Sequence, residues 1–115
     1  AHPVVRESDS VQKVLLKITQ ARAGSACVVN PRGKLVGIFT DGDLRRHLGS
    51  GSQILRRKVS EVMTHSPKTL PVGHLAGEAL RILRTYRIDE IPIVDSHQKP
   101  VGLLDIQDLL KAGLV

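Results

Sequence analysis

Gly37, Thr40 and Asp43 stand three residues apart, where an apolar run ends and a helical pattern begins. A strand finishing at Phe39 that hands over to a helix starting near Asp41 aims backbone N–H groups and the positive end of the helix dipole at one spot, which suits a phosphate. The Thr40 hydroxyl adds a donor there. Asp43, in the first helical turn, is placed to accept hydrogen bonds from two ribose hydroxyls, as acidic residues do in dinucleotide folds. Arg45 and Arg46 follow, either as cationic partners for an anion or as part of a solvated helix face. Each residue also has a plain structural role, Thr40 as an N-cap and Asp43 as a cap or dipole partner. A motif this short recurs by chance, so both readings stay open at this point.

The spacing comes twice. Val36-Gly37-Ile38-Phe39-Thr40-Asp41-Gly42-Asp43-Leu44 returns as Val101-Gly102-Leu103-Leu104-Asp105-Ile106-Gln107-Asp108-Leu109, 65 positions on. Pro3 with Pro67 and Val11 with Leu75 match at 64, which predicts that one residue of difference accumulates between the first helix and the next strand. A repeat of this length is not a solenoid period. Two such copies bury their apolar faces against each other and build paired clefts about a pseudo-two-fold axis, so function is expected between them. The copies differ at one position that matters, because Asp105 stands where Thr40 stands. A carboxylate facing a phosphate at about 4 Å costs of order 4 kcal/mol at an effective dielectric of about 20. The second copy is therefore expected to reject a phosphate in that pose, with Asp105 serving as a helix N-cap and Asp108 in the place of Asp43.

The elements that position these residues follow from periodicity. Val4-Val5 is extended, Ser8 or Ser10 caps a helix, and Val11, Val14, Leu15 and Ile18 line one helical face that Gly24 is expected to end. Ala26 to Val29 and Leu35 to Phe39 read as strands joined by a turn at Asn30-Pro31-Arg32-Gly33, and Asp41 to Leu48 reads as a helix closed by Gly49. The second copy repeats the order, with a helix from about Leu75 to Tyr86, strands Ile91 to Val94 and Val101 to Leu104, and a helix from Ile106 to Ala112. Pro92 cannot donate to a central ladder and is expected near a strand start or edge. Residues 1–49 form the first repeat and 65–115 the second. Between them, 50–64 is a linker, flexible at Gly49-Ser50-Gly51-Ser52 and helical over Val59 to Thr64.

Composition narrows the function classes. The 115 residues carry 41% hydrophobic residues with mean hydropathy near zero, and no apolar run approaches a membrane span. The chain opens at Ala1 without an initiator Met or signal peptide, and the expectation is a cytoplasmic piece of a longer protein. Cys27 alone excludes an internal disulfide and reads as a small buried hydrophobe. A net charge of +6 attracts anions, so a basic nucleic-acid-binding domain is one reading. Phe39 and Tyr86 are the only aromatic residues, too few for a stacking platform, which counts against it. The histidines His2, His47, His65, His74 and His97 have no metal-ligand spacing, and no nucleophile-base pairing or Walker loop is present. Neither a metal site nor a catalytic residue is expected.

Val59-Ser60-Glu61-Val62-Met63-Thr64 with Pro67 and Thr69, the run Ile88 to Asp95, and Val36 to Leu44 together resemble a tandem pair of cystathionine-β-synthase (CBS) domains, over essentially the whole chain. The resemblance implies an α+β fold of two β-α-β-β-α repeats about a pseudo-two-fold axis, with clefts that bind nucleotides and regulate a fused enzyme or transporter. The family's ligand motif falls on Gly37, Thr40 and Asp43, and His65 lies in the segment next to which such pairs receive ligands.

Gly37 to Arg46, and Asp108 to Val115, are further similar to the C-terminal region of bacterial arabinose 5-phosphate isomerases, in which a sugar-isomerase (SIS) domain precedes a CBS pair. That likeness implies a parent enzyme of the Kdo and lipopolysaccharide pathway, with its catalytic residues in the SIS domain, and no isomerase activity in this fragment. The expected ligand is a nucleotide or nucleotide-sugar such as CMP-Kdo, held by Gly37, Thr40, Asp41, Asp43, Arg45, Arg46, His65 and Asp108, with no cofactor. A CBS adaptor sensing adenine nucleotides is the alternative. A homo-oligomer is expected from helix-face pairing and from apolar surface at Leu109-Leu110 and Leu114-Val115.

Overall fold

The computed structural model describes residues 2–51, 53–74 and 76–113. Leu75, Leu114 and Val115, and Ser52 of the linker, lie outside the described residues. The chain divides into two compact units, Ala1–Pro67 and Lys68–Val115.

In the first unit, β1 (Val4–Arg6) leads through α1 (Val11–Ala21) to β2 (Ser25–Val29), which pairs parallel to β1. A turn at Asn30–Gly33 returns β3 (Leu35–Thr40) antiparallel to β2, and α2 (Asp41–His47) follows at once. Then come three 3-10 turns, Leu48–Ser50, Ile54–Arg56 and Val59–Glu61, and a two-residue strand β4 (Thr64–His65) antiparallel to β3. The sheet order is β1-β2-β3-β4. The helix expected over Val59 to Thr64 is thus a single 3-10 turn. Val62 and Met63 turn into the core and Thr64 pairs with Ile38, which leaves no room for a second helical turn.

The core joins the apolar face of α1 (Val11, Val14, Ile18) to Val5, Val28 and Phe39 from the sheet and to Ile54, Val59 and Val62 from the 3-10 segment. Central β2 is buried along its whole length, Cys27 included. Ser10 is the N-cap of α1, its hydroxyl accepting the Lys13 N–H at 3.2 Å, and Asp9 stands just before it. Its carboxylate accepts the Arg6 N–H at 2.9 Å and meets Lys13 Nζ at 3.3 Å. Burial pushes the Asp9 carboxyl up, but the Arg6 N–H and Lys13 outweigh it and hold it below its ordinary value.

The second unit holds β5 (Leu70–Pro71), α3 (Ala76–Thr85), β6 (Glu90–Val94), β7 (Pro100–Asp105) and α4 (Ile106–Lys111), with sheet order β5-β6-β7. Its core is Leu70, Ala79, Leu83, Ile91 and Leu109. Leu109 is therefore core and not the surface residue expected, while Leu110 is half exposed. The 64-residue offset expected for the opening strand and helix is overturned. Val5 pairs with Val28 and Leu70 with Ile93, so both strands carry the same 65-residue displacement, and the helix ends at Arg22 and Arg87 carry it too.

Pro92 is neither at a strand start nor at an edge. It is the third residue of the middle strand, paired with Leu103 of β7. At the matching place Cys27 donates its N–H to the Pro3 carbonyl at 3.0 Å. Pro92 has no N–H to donate, and β5 begins only at Leu70, one residue later than β1 begins relative to β2. The bond that Cys27 makes is therefore absent at Pro92, a single bond at the position just before β5 starts.

Gly24 does not end α1. Arg22 takes the left-handed cap at φ 53, and Arg87 does the same after α3 at φ 54, with Ala23 and Ile88 donating back to Ile18 and Leu83. A side chain in this conformation costs about 1 kcal/mol, which glycine avoids. Arg22→Gly and Arg87→Gly should each raise stability by up to about 1 kcal/mol in urea melts, and a loss of stability in both would contradict this assignment.

Gly37 is fixed by the approach of β4. A Cβ there would overlap the Met63 side chain and lie 2.9 Å from the Thr64 carbonyl oxygen, whereas a Cβ on Gly102 would meet only the Ile93 side chain at 3.5 Å. Gly37→Ala should cost about 1–3 kcal/mol and Gly102→Ala less than about 0.5 kcal/mol. Equal losses in denaturant unfolding would show that β4 does not set the difference.

Candidate functional site

Thr40 ends β3 in extended geometry and begins α2 as its N-cap. Its hydroxyl accepts the Asp43 N–H at 3.2 Å, while Asp43 Oδ2 accepts the Thr40 N–H at 2.9 Å and the Thr40 hydroxyl at 3.2 Å. This is a reciprocal capping box, which satisfies two backbone donors at the helix start. The ordinary role weighed for both residues is thus present in full. Nothing in that role prevents a second one, but it decides which atoms are still open.

Asp43 Oδ1 is where the site departs from a plain cap. It accepts the Thr64 hydroxyl at 2.8 Å, from a residue 21 positions away on β4, and the guanidinium of Arg46 one turn along α2. With these partners the Asp43 side chain is only 2% exposed, while that of Arg46 is 63% exposed. The guanidinium folds back over the first turn of α2, where a Cβ on Gly42 would lie 3.4 Å from one of its terminal nitrogens. His47 Nδ1 lies 2.9 Å from the Asp43 carbonyl oxygen and steadies the far end of the helix.

The structure therefore brings together Gly37, Thr40, Asp43 and Arg46, and adds His65, whose backbone pairs with Gly37 across β3 and β4. Asp41 and Arg45 are exposed on α2 and make no side-chain hydrogen bond among the described residues. Thr64 is the member that the candidate set lacked. It is the threonine of the Met63-Thr64 pair, and the pairing of its backbone with Ile38 places it where its hydroxyl donates to Asp43. The first turn of α2 supplies less than the spacing promised for an anion. The helix has seven residues, and the N–H groups of Thr40 and Asp43 are taken by the box.

Asp108 lies in the other unit, in a box of its own. Asp105 is the N-cap of α4, as expected of it: its Oδ1 accepts the Asp108 N–H at 2.9 Å, and Asp108 Oδ2 accepts the Asp105 N–H at 2.9 Å. Asp108 is exposed, and among the described residues no third side chain donates to it. Two carboxylates there face each other's backbone with no cation on either. Among the described residues no group of three or more His, Cys, Asp or Glu side chains could hold a metal ion, and no helix is long and apolar enough to cross a membrane.

Comparison with known proteins gives this geometry its context. The chain is 40% identical over 113 residues to an arabinose 5-phosphate isomerase, KdsD, of Pseudomonas aeruginosa, covering 98% of this chain and 35% of that protein. It is 36% identical over 112 residues to the KdsD of Francisella tularensis, covering 97% of this chain and 34% of that one. The chain thus spans about a third of the length of these relatives. Among solved structures, a CBS domain protein from Pyrobaculum aerophilum complexed with AMP superposes with a TM-score of 0.86 at 19% identity, over 99% of this chain and 92% of that one. The CBS domain family model matches residues 2–50 and again residues 59–115. Matched twice along nearly its whole length, the chain is a tandem pair of CBS domains and belongs to that family.

Proposed function

We propose that this chain is the ligand-sensing regulatory module of a longer arabinose 5-phosphate isomerase, in which an SIS domain carries out the sugar-phosphate chemistry. The observation that carries this reading is 40% identity across 98% of the chain to one third of such an isomerase. The chain itself has no isomerase activity in this reading, and it works in the cytoplasm on the route to Kdo and lipopolysaccharide.

The ligand is a nucleotide or nucleotide-sugar, bound at Thr40 and Asp43 in the first repeat. Feedback on the first step of a pathway needs a later product, and CMP-Kdo fits that need and carries both a phosphodiester and a sugar carboxylate. Arg46 beside Asp43 and Arg45 on the exposed side of α2 supply cations for a doubly anionic ligand. The Asp105–Asp108 box has acceptors only, so it is the weaker place for a phosphate. The AMP complex of the Pyrobaculum protein favours a second reading, an adenine-nucleotide sensor.

Titration of CMP-Kdo and AMP at one salt concentration separates the two. CMP-Kdo should bind more tightly, and AMP winning by about tenfold, or ~1.4 kcal/mol, would select the adenine reading. Thr40→Ala and Asp43→Ala should each weaken binding by about 1–3 kcal/mol, with Asp105→Ala and Asp108→Ala affecting it less. Binding abolished by the second pair and untouched by the first would overturn the assignment.

In the same reading the module is a homo-oligomer. Leu16, Leu48, Leu55 and Val72 are exposed apolar side chains that association would cover. Sedimentation at high micromolar concentration should show a dimer or larger species, and a monomer throughout would refute it.

A further inference from the structure

We propose that Arg46 is a gate on Asp43, occupying the carboxylate oxygen that a ribose would use, so that a ligand carrying a phosphate opens it more readily than one without. This rests on the reading of Thr40 and Asp43 as a nucleotide site.

The argument starts from the four donors on one buried carboxylate. Oδ2 is committed to the helix cap through the Thr40 N–H and hydroxyl, and losing it would unmake the first turn of α2. Oδ1 is held by Thr64 and Arg46. The backbone of Thr64 is held by its pairing with Ile38, so its neutral hydroxyl stays next to Oδ1 and leaves it only by turning about χ1. Arg46 is different. Its side chain is 63% exposed on a flexible stem, and it can swing into water with no backbone change. Of the two donors on Oδ1, the guanidinium is the charged one.

Displacing it has a cost, because a buried carboxylate left short of donors is strongly unfavourable. A ribose diol presents two hydroxyl donors that can replace the guanidinium on Oδ1. The displaced cation then stands beside the bound sugar with its planar fork of N–H groups free. A phosphate on the same ligand accepts that fork, so a nucleotide both removes Arg46 from Asp43 and pairs it again. A nucleoside offers the diol alone and leaves the guanidinium with water. Arg46 thus favours nucleotides over nucleosides, which suits a sensor in a cell that contains both.

Calorimetry on the wild-type chain and on Arg46→Gln, with adenosine against AMP and cytidine against CMP, tests this. The wild type should prefer the nucleotide by at least about tenfold, ~1.4 kcal/mol. In Arg46→Gln the nucleoside should gain and the nucleotide lose, bringing the ratio close to one. An unchanged ratio in a variant that binds would overturn the gate and leave the nucleotide site standing; binding of CMP-Kdo but of none of the four probes to the wild type would likewise overturn the gate alone, and no binding of any of the five would overturn both. Should the variant fail to fold, NMR of the wild type is the second measurement: AMP should move the Arg46 Nε–H resonance and adenosine should not. A resonance unmoved by saturating AMP overturns the gate.

Discussion

The first unit is organised around the burial of one charge. Asp43 would be untenable at 2% side-chain exposure without donors, and the donors it finds come from three places: the end of β3, the last part of α2 and the start of β4. Thr64 is the one that matters most for the fold, since it reaches across 21 residues and ties the segment leaving the unit back to the helix. The close contact of β3 and β4 that allows this depends on Gly37, because any side chain there would meet the Thr64 carbonyl at 2.9 Å. Glycine, threonine and aspartate in this arrangement answer a packing requirement before any ligand is considered.

The second unit shows the same scheme without that tie. Its capping box joins two aspartates, Asp108 is exposed, and the sheet stops at three strands among the described residues. Gly102 keeps its place although only Ile93 comes near it. The pair at the start of the first helix is altered as well, since Asp9–Lys13 in one unit is His74–Glu78 at the matching positions of the other, with acid and base exchanged. Equal backbone register has therefore been kept while the polar contacts diverged.

Much of this was legible from periodicity. Val11, Val14 and Ile18 face the core, the two hairpins fall where the turns were read, and Asp105 caps its helix. What escaped did so for identifiable reasons. The left-handed caps are arginines, so the usual glycine signal pointed two residues too far, to Gly24. Pro92 looked excluded from a central strand, but its missing donor costs one bond only, at the position just before β5 starts. β4 is two residues long, below what alternation can reveal, and with it went the Thr64 contact. The 64-residue match of Pro3 with Pro67 and Val11 with Leu75 followed residue identity, whereas the ladder follows the 65-residue displacement.

The Thr40–Asp43 spacing is used by the chain as a capping box, and the proposed nucleotide site draws on the same carboxylate. A capping box needs a hydroxyl or carboxylate at the N-cap and an acceptor three residues later, and a ribose asks for a carboxylate acceptor of the same kind. Spacing alone cannot separate these uses, which is why Asp105 and Asp108 reproduce it with two acceptors and no cation. The distinction lies in what reaches the carboxylate from outside its own helix turn. In the first unit Thr64 and Arg46 both donate to Oδ1 of a buried Asp43, the latter from an exposed side chain, whereas Asp108 is open to water. A ligand that exchanges with an internal partner is bound against a defined competitor, and its selectivity is set by how well it replaces that partner.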